Sequence, residues 1–200
     1  MTEGQAHYFR TPRAPTGSRT IHVTLAGQDV EVETAGGVFS GDRLDLGTRV
    51  LLREVPEPPA TGDLLDLGCG WGPLALTLGL LSPEATVWAV DVNDHALGLT
   101  AANATRLTLG RVRVVRPDDV PDDVRFAAIW SNPPIRVGKA ELHAMLLRWL
   151  PRLTDDGAAH LVVQRNLGAD SLHAWLQENL DGTVTRAGSA KGYRVLRVTR

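Results

Sequence analysis

The chain has 200 residues, 43% of them hydrophobic and 22% charged, which is a balance for one globular domain and excludes a disordered or fibrous chain. No apolar run reaches the roughly 18 residues of a membrane span, and the N-terminal stretch lacks an apolar signal core. One cysteine, Cys69, excludes an intrachain disulfide and a Cys-rich zinc site, and the six histidines show no ligand spacing, so no metal is expected. The expectation is a soluble, reduced, cytoplasmic protein. Net charge is −2, so the whole chain is no polycation; basic residues gather at the termini, as in Arg186, Lys191, Arg194, Arg197 and Arg200, and acidic ones mid-chain. Such termini are either solvated surface or a basic rim that meets phosphates.

Residues 1–18 are rich in Pro, Gly and Arg and read as an arm. The stretch 21–34 alternates apolar and polar residues around Gly27-Gln28, which predicts a hairpin. A short helix is expected from Leu44 to Glu54, and the Pro- and Gly-containing run 56–62 reads as a linker. Strands at 64–67, 85–92, 111–115, 126–130 and 159–164 then alternate with helical patterns, including a long one from Lys139 to Leu153. Two strands without an intervening helix close the chain. Continuous apolar strands in βα units predict an α/β fold with a mostly parallel, seven-stranded Rossmann-like sheet. The closing pair predicts an antiparallel strand at the sheet edge, and the hairpin is an N-terminal extension. Residues 1–60 are read as arm, hairpin and helix packing on a core of residues 61–200.

The first βα junction reads Asp66-Leu67-Gly68-Cys69-Gly70-Trp71-Gly72-Pro73. Glycines there let backbone approach a ligand. Pro73 stands where a dinucleotide fingerprint has its third glycine, which argues against NAD(P). Asp66 would crowd a pyrophosphate but can accept from an ammonium group. Asp91, nineteen residues after Gly72, ends the next strand where an acidic residue takes ribose hydroxyls, with Val92 beside it. An adenosine bearing an amino-acid tail and no phosphates fits these features: S-adenosyl-L-methionine. The competing reading is an ordinary glycine turn with surface aspartates. Cys69 has no histidine nearby in sequence to activate it and reads as a small packed residue. Asp118 is either a contact for the adenine amino group or a turn aspartate.

After the fourth core strand comes Ser131-Asn132-Pro133-Pro134-Ile135. Two prolines hold the backbone extended and aim the Asn132 oxygen and neighbouring carbonyls out of the sheet's C-terminal edge. Acceptors there orient an NH₂ group, whose proton leaves after attack on an electrophile. The bland alternative is a rigid loop with an Asx turn.

With 66–72, VDVN (90–93) and SNPPIR (131–136), the chain resembles the class I S-adenosylmethionine-dependent methyltransferases that act on exocyclic or amide nitrogens. GVFS (37–40), RLDLGTRVLL (43–52) and KGYRVLR (191–197) narrow the resemblance to the methyltransferase small domain group, which includes guanine-N2 methyltransferases of ribosomal RNA. The resemblance implies catalysis at Asn132, Pro133 and Pro134. It implies cofactor contacts from Asp66, Gly68, Cys69, Gly70, Gly72, Asp91, Val92, Asp118 and Asn132. Gly37, Phe39 and Ser40 would line the methionine end or the target pocket, with Ile135, Arg136 and Lys139 on the substrate side. Relatives of this type carry a second domain copy in front and an aromatic residue after Asn-Pro-Pro, which stacks on a flipped-out base. This chain is too short for the first and has Ile135 at the second, leaving Phe39 and Trp130 as candidate stacking residues. The expected substrate is RNA, chiefly ribosomal, handled by a monomer or homodimer. The alternatives are a protein glutamine amide as acceptor, or a silent fold that binds RNA or the ribosome.

Overall fold

The computed structural model describes residues 17–36 and 43–200. Gly37, Phe39, Ser40 and residues 1–16 of the expected arm lie outside them. β1 (Ser18–Leu25) and β2 (Gln28–Ala35) form the hairpin. Its two-residue turn is Ala26-Gly27, with φ of 50° and 75°; positive φ at both central positions matches the twist of paired strands. α1 (Leu46–Glu54) begins two residues later than the apolar pattern suggests, because the Asp45 side chain accepts the Thr48 N–H and caps it.

The core alternates β3 (Asp63–Leu67), α2 (Pro73–Leu81), β4 (Thr86–Val90), α3 (Asp94–Arg106), β5 (Val112–Val115), β6 (Phe126–Ser131), α4 (Lys139–Trp149), β7 (Leu153–Gln164), α5 (Ala169–Asn179), β8 (Thr183–Ala190) and β9 (Tyr193–Thr199). The seven-stranded sheet has the order β5-β4-β3-β6-β7-β9-β8, parallel from β5 to β7. The antiparallel strand is β9, one position in from the edge, where it pairs with both β7 and β8. α4 ends four residues before Leu153 because Pro151 cannot continue it; a 3₁₀ turn over Leu150–Arg152 follows. β7 starts six residues earlier than its apolar run. Its register against β6 shifts near Gly157, where a Cβ would lie 2.7 Å from the Phe126 carbonyl oxygen.

One face of the sheet buries Phe126, Ile129, Leu146, Trp149 and Leu176 under α4 and α5; the other buries Leu51, Leu64, Leu78 and Trp130 under α1 and α2. Each such side chain contributes about 1.5–3 kcal/mol on burial. Arg152 stacks its guanidinium over Phe126 and Trp149 and donates to the carbonyls of Pro121 and Val124, pinning the β5–β6 connection. The hairpin packs Leu25, Val30 and Val32 against Trp71, Leu76 and Leu99. Asn103 of α3 fastens it: its amide nitrogen donates to the Glu33 and Trp71 carbonyls, and its oxygen accepts the Glu33 N–H. Among the described residues no helix is long and apolar enough to cross a membrane.

Candidate cofactor and acceptor site

β3, β4 and β6 run parallel and adjacent, so the loops after them meet at one sheet edge. The turn after β3 bends back over β4: the N–H groups of Gly68 and Cys69 both donate to the Val90 carbonyl, at 2.8 and 3.1 Å. Gly68, Gly70 and Gly72 have φ of +81°, +59° and +97°, conformations that residues with a Cβ rarely adopt. Gly72 is the N-cap of α2, and Pro73 occupies the first helical position, where its missing N–H costs nothing. Thr100 of α3 braces the turn by donating its hydroxyl to the Gly70 carbonyl at 2.9 Å.

Asp91 lies just past β4. Its Oδ2 accepts the Gly70 N–H at 3.0 Å and its Oδ1 the Asn93 N–H at 2.9 Å. Each oxygen keeps a further acceptor position toward a ligand. Val92 beside it is exposed, and Arg116 donates to its carbonyl. Asp66 is fully buried under the turn; its Oδ2 accepts the Ala75 N–H at 2.8 Å, and its Oδ1 has no hydrogen-bond partner. A buried carboxylate oxygen left unpaired is costly, and a cation arriving at the turn relieves it. The orphaned acceptor, the glycine turn and the Asp91 carboxylate fit a cationic adenosyl ligand without phosphates.

Burial pushes the Cys69 thiol well above its ordinary range, and the charges of Asp66 and Asp91 add to the shift. Its sulfur packs 3.6 Å from the Thr100 hydroxyl, so it is a neutral packed side chain rather than a nucleophile. Asp118 stands beyond β5 in a 3₁₀ turn with its carboxylate bound by Arg148 of α4 at 2.8 Å.

Asn132 follows β6, whose last residue donates its hydroxyl to the Leu67 carbonyl at 2.6 Å and locks the two loops together. A Cβ on Gly68 would lie 4.0 Å from Pro134 Cδ, so the proline pair faces the glycine turn. Pro133 is buried and Pro134 exposed. The Pro133 carbonyl accepts the Ile135 N–H at 2.8 Å and retains one acceptor position. The Asn132 amide nitrogen donates to Asp45 Oδ2 at 2.8 Å and to the Thr48 hydroxyl at 3.1 Å. Asp45 and Thr48 were not singled out individually by sequence reasoning, although they stand in RLDLGTRVLL; an N-cap pattern gives no sign of a side chain 87 residues away.

Tyr193 opens β9 against the same spot. Its ring edge and Asp45 Oδ2 each lie 2.9 Å from where a Gly47 Cβ would stand, and Asn132 Nδ2 lies 3.3 Å from it. Burial, with the Asp45 charge, raises the Tyr193 phenol. Ile135 instead packs against the α4 side of the core. Trp130 is 2% exposed, so the structure removes it as a base-stacking surface. Lys139 is exposed at the start of α4; Arg136 has its backbone in the 3₁₀ turn Ile135–Val137, and its side chain lies outside the described set.

The basic C-terminal residues do not form one rim. Arg186 and Arg194 both pair with Asp170, and Arg200 pairs with Asp155 beside the opposite end of the sheet. Lys191, at the tip of the β8–β9 turn, and Arg165, whose N–H donates to the Gly192 carbonyl, lie at the ligand edge without a carboxylate partner among the described residues.

Two buried groups give stability opposite dependences on pH. Burial pushes the Asp66 carboxyl up to about 8 from 3.8, against the Ala75 hydrogen bond and helped by Asp91. Burial and then the Arg197 charge push His160 down to about 4 from 6.5. The Asp66 contribution is complete below pH 3.8 and is lost as pH rises through about 8. The His160 contribution is complete above pH 6.5 and is lost as pH falls through about 4. Of these two groups only Asp66 changes its contribution above pH 6.5, so it should lower the melting temperature of the free protein between pH 6.5 and 8.5. In Asp66→Asn that fall should be much shallower; melting temperatures that change with pH at the same slope in both proteins would refute the assignment.

Comparison with known proteins gives the family. A family model described as the methyltransferase small domain matches residues 29–197. The uncharacterized protein YbxB of Bacillus subtilis is 32% identical over 197 residues, 97% of this chain and 98% of that protein. The ribosomal RNA large subunit methyltransferase G of Shewanella sp. (strain W3-18-1) is 31% identical over 174 residues, 81% of this chain and 44% of that one. The chain therefore spans under half the length of that methyltransferase. In fold it is similar to the T. thermophilus 16S rRNA N2 G1207 methyltransferase in complex with AdoMet and guanosine, with a TM-score of 0.80 at 24% identity over 94% of this chain and 52% of that one. The family model covers the glycine turn, Asp91 and the Asn-Pro-Pro loop alike. The chain belongs to the methyltransferase small domain family and is a class I S-adenosylmethionine-dependent methyltransferase.

Proposed function

We propose that this enzyme methylates an exocyclic amine of a base in RNA, with guanine N2 of ribosomal RNA as the leading acceptor. The observation that carries the reading is the state of Asn132. Its amide nitrogen is spent on Asp45 and Thr48, while its Oδ1 takes no hydrogen bond from the described residues. That oxygen and the free position on the Pro133 carbonyl are acceptors for the two hydrogens of an NH₂ group. An amine so held turns its nitrogen lone pair out of the plane of those bonds, toward the glycine turn. The activities named for the ribosomal RNA relatives, and the guanosine in the T. thermophilus complex, support the choice of acceptor.

In this reading Asp91 takes the ribose hydroxyls, the turn at Gly68, Gly70 and Gly72 admits the amino-acid tail, and Asp66, which holds its proton below about pH 8 in the free protein, offers its unpaired oxygen to the ammonium group from below. Val92 and Asp118 border the adenine, and Cys69 packs the turn from behind. The bound cofactor supplies a methyl group on a cationic sulfur, which departs as a neutral thioether. The residues do the rest by proximity and orientation. After the N–C bond forms, the amine's surplus proton passes to water. Ile135 lends only apolar contact, so among the described residues Tyr193, beside Asn132, is an aromatic surface for the target base.

The deciding experiment transfers labelled methyl from S-adenosylmethionine into ribosomal subunits of a strain lacking this protein, then splits the product with RNase and protease. Label released by RNase and recovered as a methylated guanosine supports the proposal. Label in protein moves the acceptor to a glutamine amide, and no label, with S-adenosylhomocysteine still bound, refutes RNA as the substrate.

Lys139, Lys191 and Arg165 would meet RNA phosphates at the rim. The double variant Lys191→Glu/Arg165→Glu should weaken RNA binding and flatten the plot of log affinity against log salt by about 1–2 units. Affinity for S-adenosylhomocysteine should not change. An unaltered salt slope would place the phosphates elsewhere.

A further inference from the structure

An asparagine amide has two ends of nearly the same size, one donating and one accepting. Which end faces a ligand is decided by its neighbours. At Asn132 the neighbours come from the N-terminal segment, 84 and 87 residues away in sequence. Asp45 Oδ2 lies 2.8 Å from the amide nitrogen, and an ionised carboxylate has nothing to donate. The Thr48 hydroxyl takes the second hydrogen at 3.1 Å. Turning the amide over would set its oxygen against the Asp45 carboxylate at the same separation, two acceptors with no proton between them. Gly47 makes the approach feasible: a Cβ there would sit 2.9 Å from Asp45 Oδ2 and 3.3 Å from the Asn132 nitrogen.

We infer that Asp45, helped by Thr48, is a positioning residue that holds the Asn132 amide with its oxygen toward the acceptor, so that the first turn of α1 sets the polarity of the acceptor site. The inference rests on the reading of Asn132 as the group that receives the target amine. It narrows the substrate class: the reacting atom must bring N–H to the site, because a thiolate or carboxylate acceptor meets only oxygen lone pairs. It also makes the segment before the sheet part of the reaction machinery.

Asp45 caps α1 as well, so the test must separate positioning from folding. Asp45→Asn keeps a good N-cap residue but lets the Asn132 amide sit either way. It should lower kcat by roughly 10–100-fold, with KM and the affinity for S-adenosylhomocysteine within about twofold of wild type. Thr48→Val should show a smaller loss in kcat, restored by Thr48→Ser. In an Asn132→Ala background Asp45→Asn should cost nothing further in kcat, since nothing is left to orient. Equal losses with and without Asn132, or wild-type kcat in Asp45→Asn, would overturn the inference.

A readout without substrate keeps this distinct from the choice of RNA. The Asn132 side-chain NH₂ resonances, assigned by their loss in Asn132→Ala, should exchange with water at least about tenfold faster in Asp45→Asn than in wild type. If wild type methylates no RNA but shows this protection, the substrate reading fails and the amide anchor stands. If wild type shows no protection, the anchor itself is refuted.

Discussion

Asn132→Ala should lower kcat by at least about 100-fold while leaving the affinity for S-adenosylhomocysteine and the melting temperature close to wild type. The size follows from the chemistry required of the site. In the proposed mechanism the electrophile comes with the cofactor, so the protein's share of the barrier is largely the placing of one amine, and misplacement of a reacting group costs on this scale. The groups proposed to face the cofactor, Gly68, Gly70 and Asp91, are tied to β4 and to each other and do not depend on Asn132. Its loss removes two hydrogen bonds from Asp45 and Thr48; Asp45 is half-buried and keeps the Thr48 N–H, which limits the stability cost to about 1 kcal/mol. Steady-state kinetics beside calorimetry with S-adenosylhomocysteine give both numbers. Near-normal turnover would sink the proposed mechanism.

Gly72→Ala is expected to be as severe for a different reason. Its φ of +97° lies where an L side chain is strained, at about 1–3 kcal/mol. The added Cβ would also stand 2.9 Å from Thr100 Cγ2 and 3.0 Å from its Oγ1. Thr100 is fully buried and holds the Gly70 carbonyl, so it has little room to yield without releasing the turn. The two effects together should cost about 2–4 kcal/mol of stability and at least tenfold in affinity for S-adenosylhomocysteine. Gly98→Ala is the control: φ there is not positive, a Cβ meets nothing within 4 Å, and α3 should if anything be stabilised. A Gly72→Ala protein that melts and binds like Gly98→Ala would show that the turn tolerates a side chain.

The Gly72 turn and the Asn132 orientation differ in how far they can be read along the chain. The Gly72 turn is local: strand, three glycines, proline and helix lie within eleven residues, and the chemistry of each residue points the same way. The orientation of Asn132 is not local, because a capping aspartate carries no mark of which distant amide it will meet. Trp130 shows the same limit, since an indole at a strand end has the same composition whether it faces solvent or, as here, α1 and α2. Asp66 lies between these cases. Its position before the glycines was legible, whereas its complete burial and raised pKa follow from the packing of α2 above it.

What the sequence by itself determined was the βα rhythm, the parallel sheet, the glycine turn with Asp91, and the Asn-Pro-Pro loop. Those follow from residue type at fixed short spacing, where apolar period, glycine φ and proline geometry act over a few residues. Only the tertiary structure decided that β9 slots between β7 and β8, that Asn103 fastens the hairpin to the turn, and that Asp45 and Thr48 hold Asn132. It also dispersed the basic C-terminal residues over different parts of the surface. These are pairings between groups far apart in sequence, selected when the whole chain buries its apolar surface and satisfies its polar atoms at once.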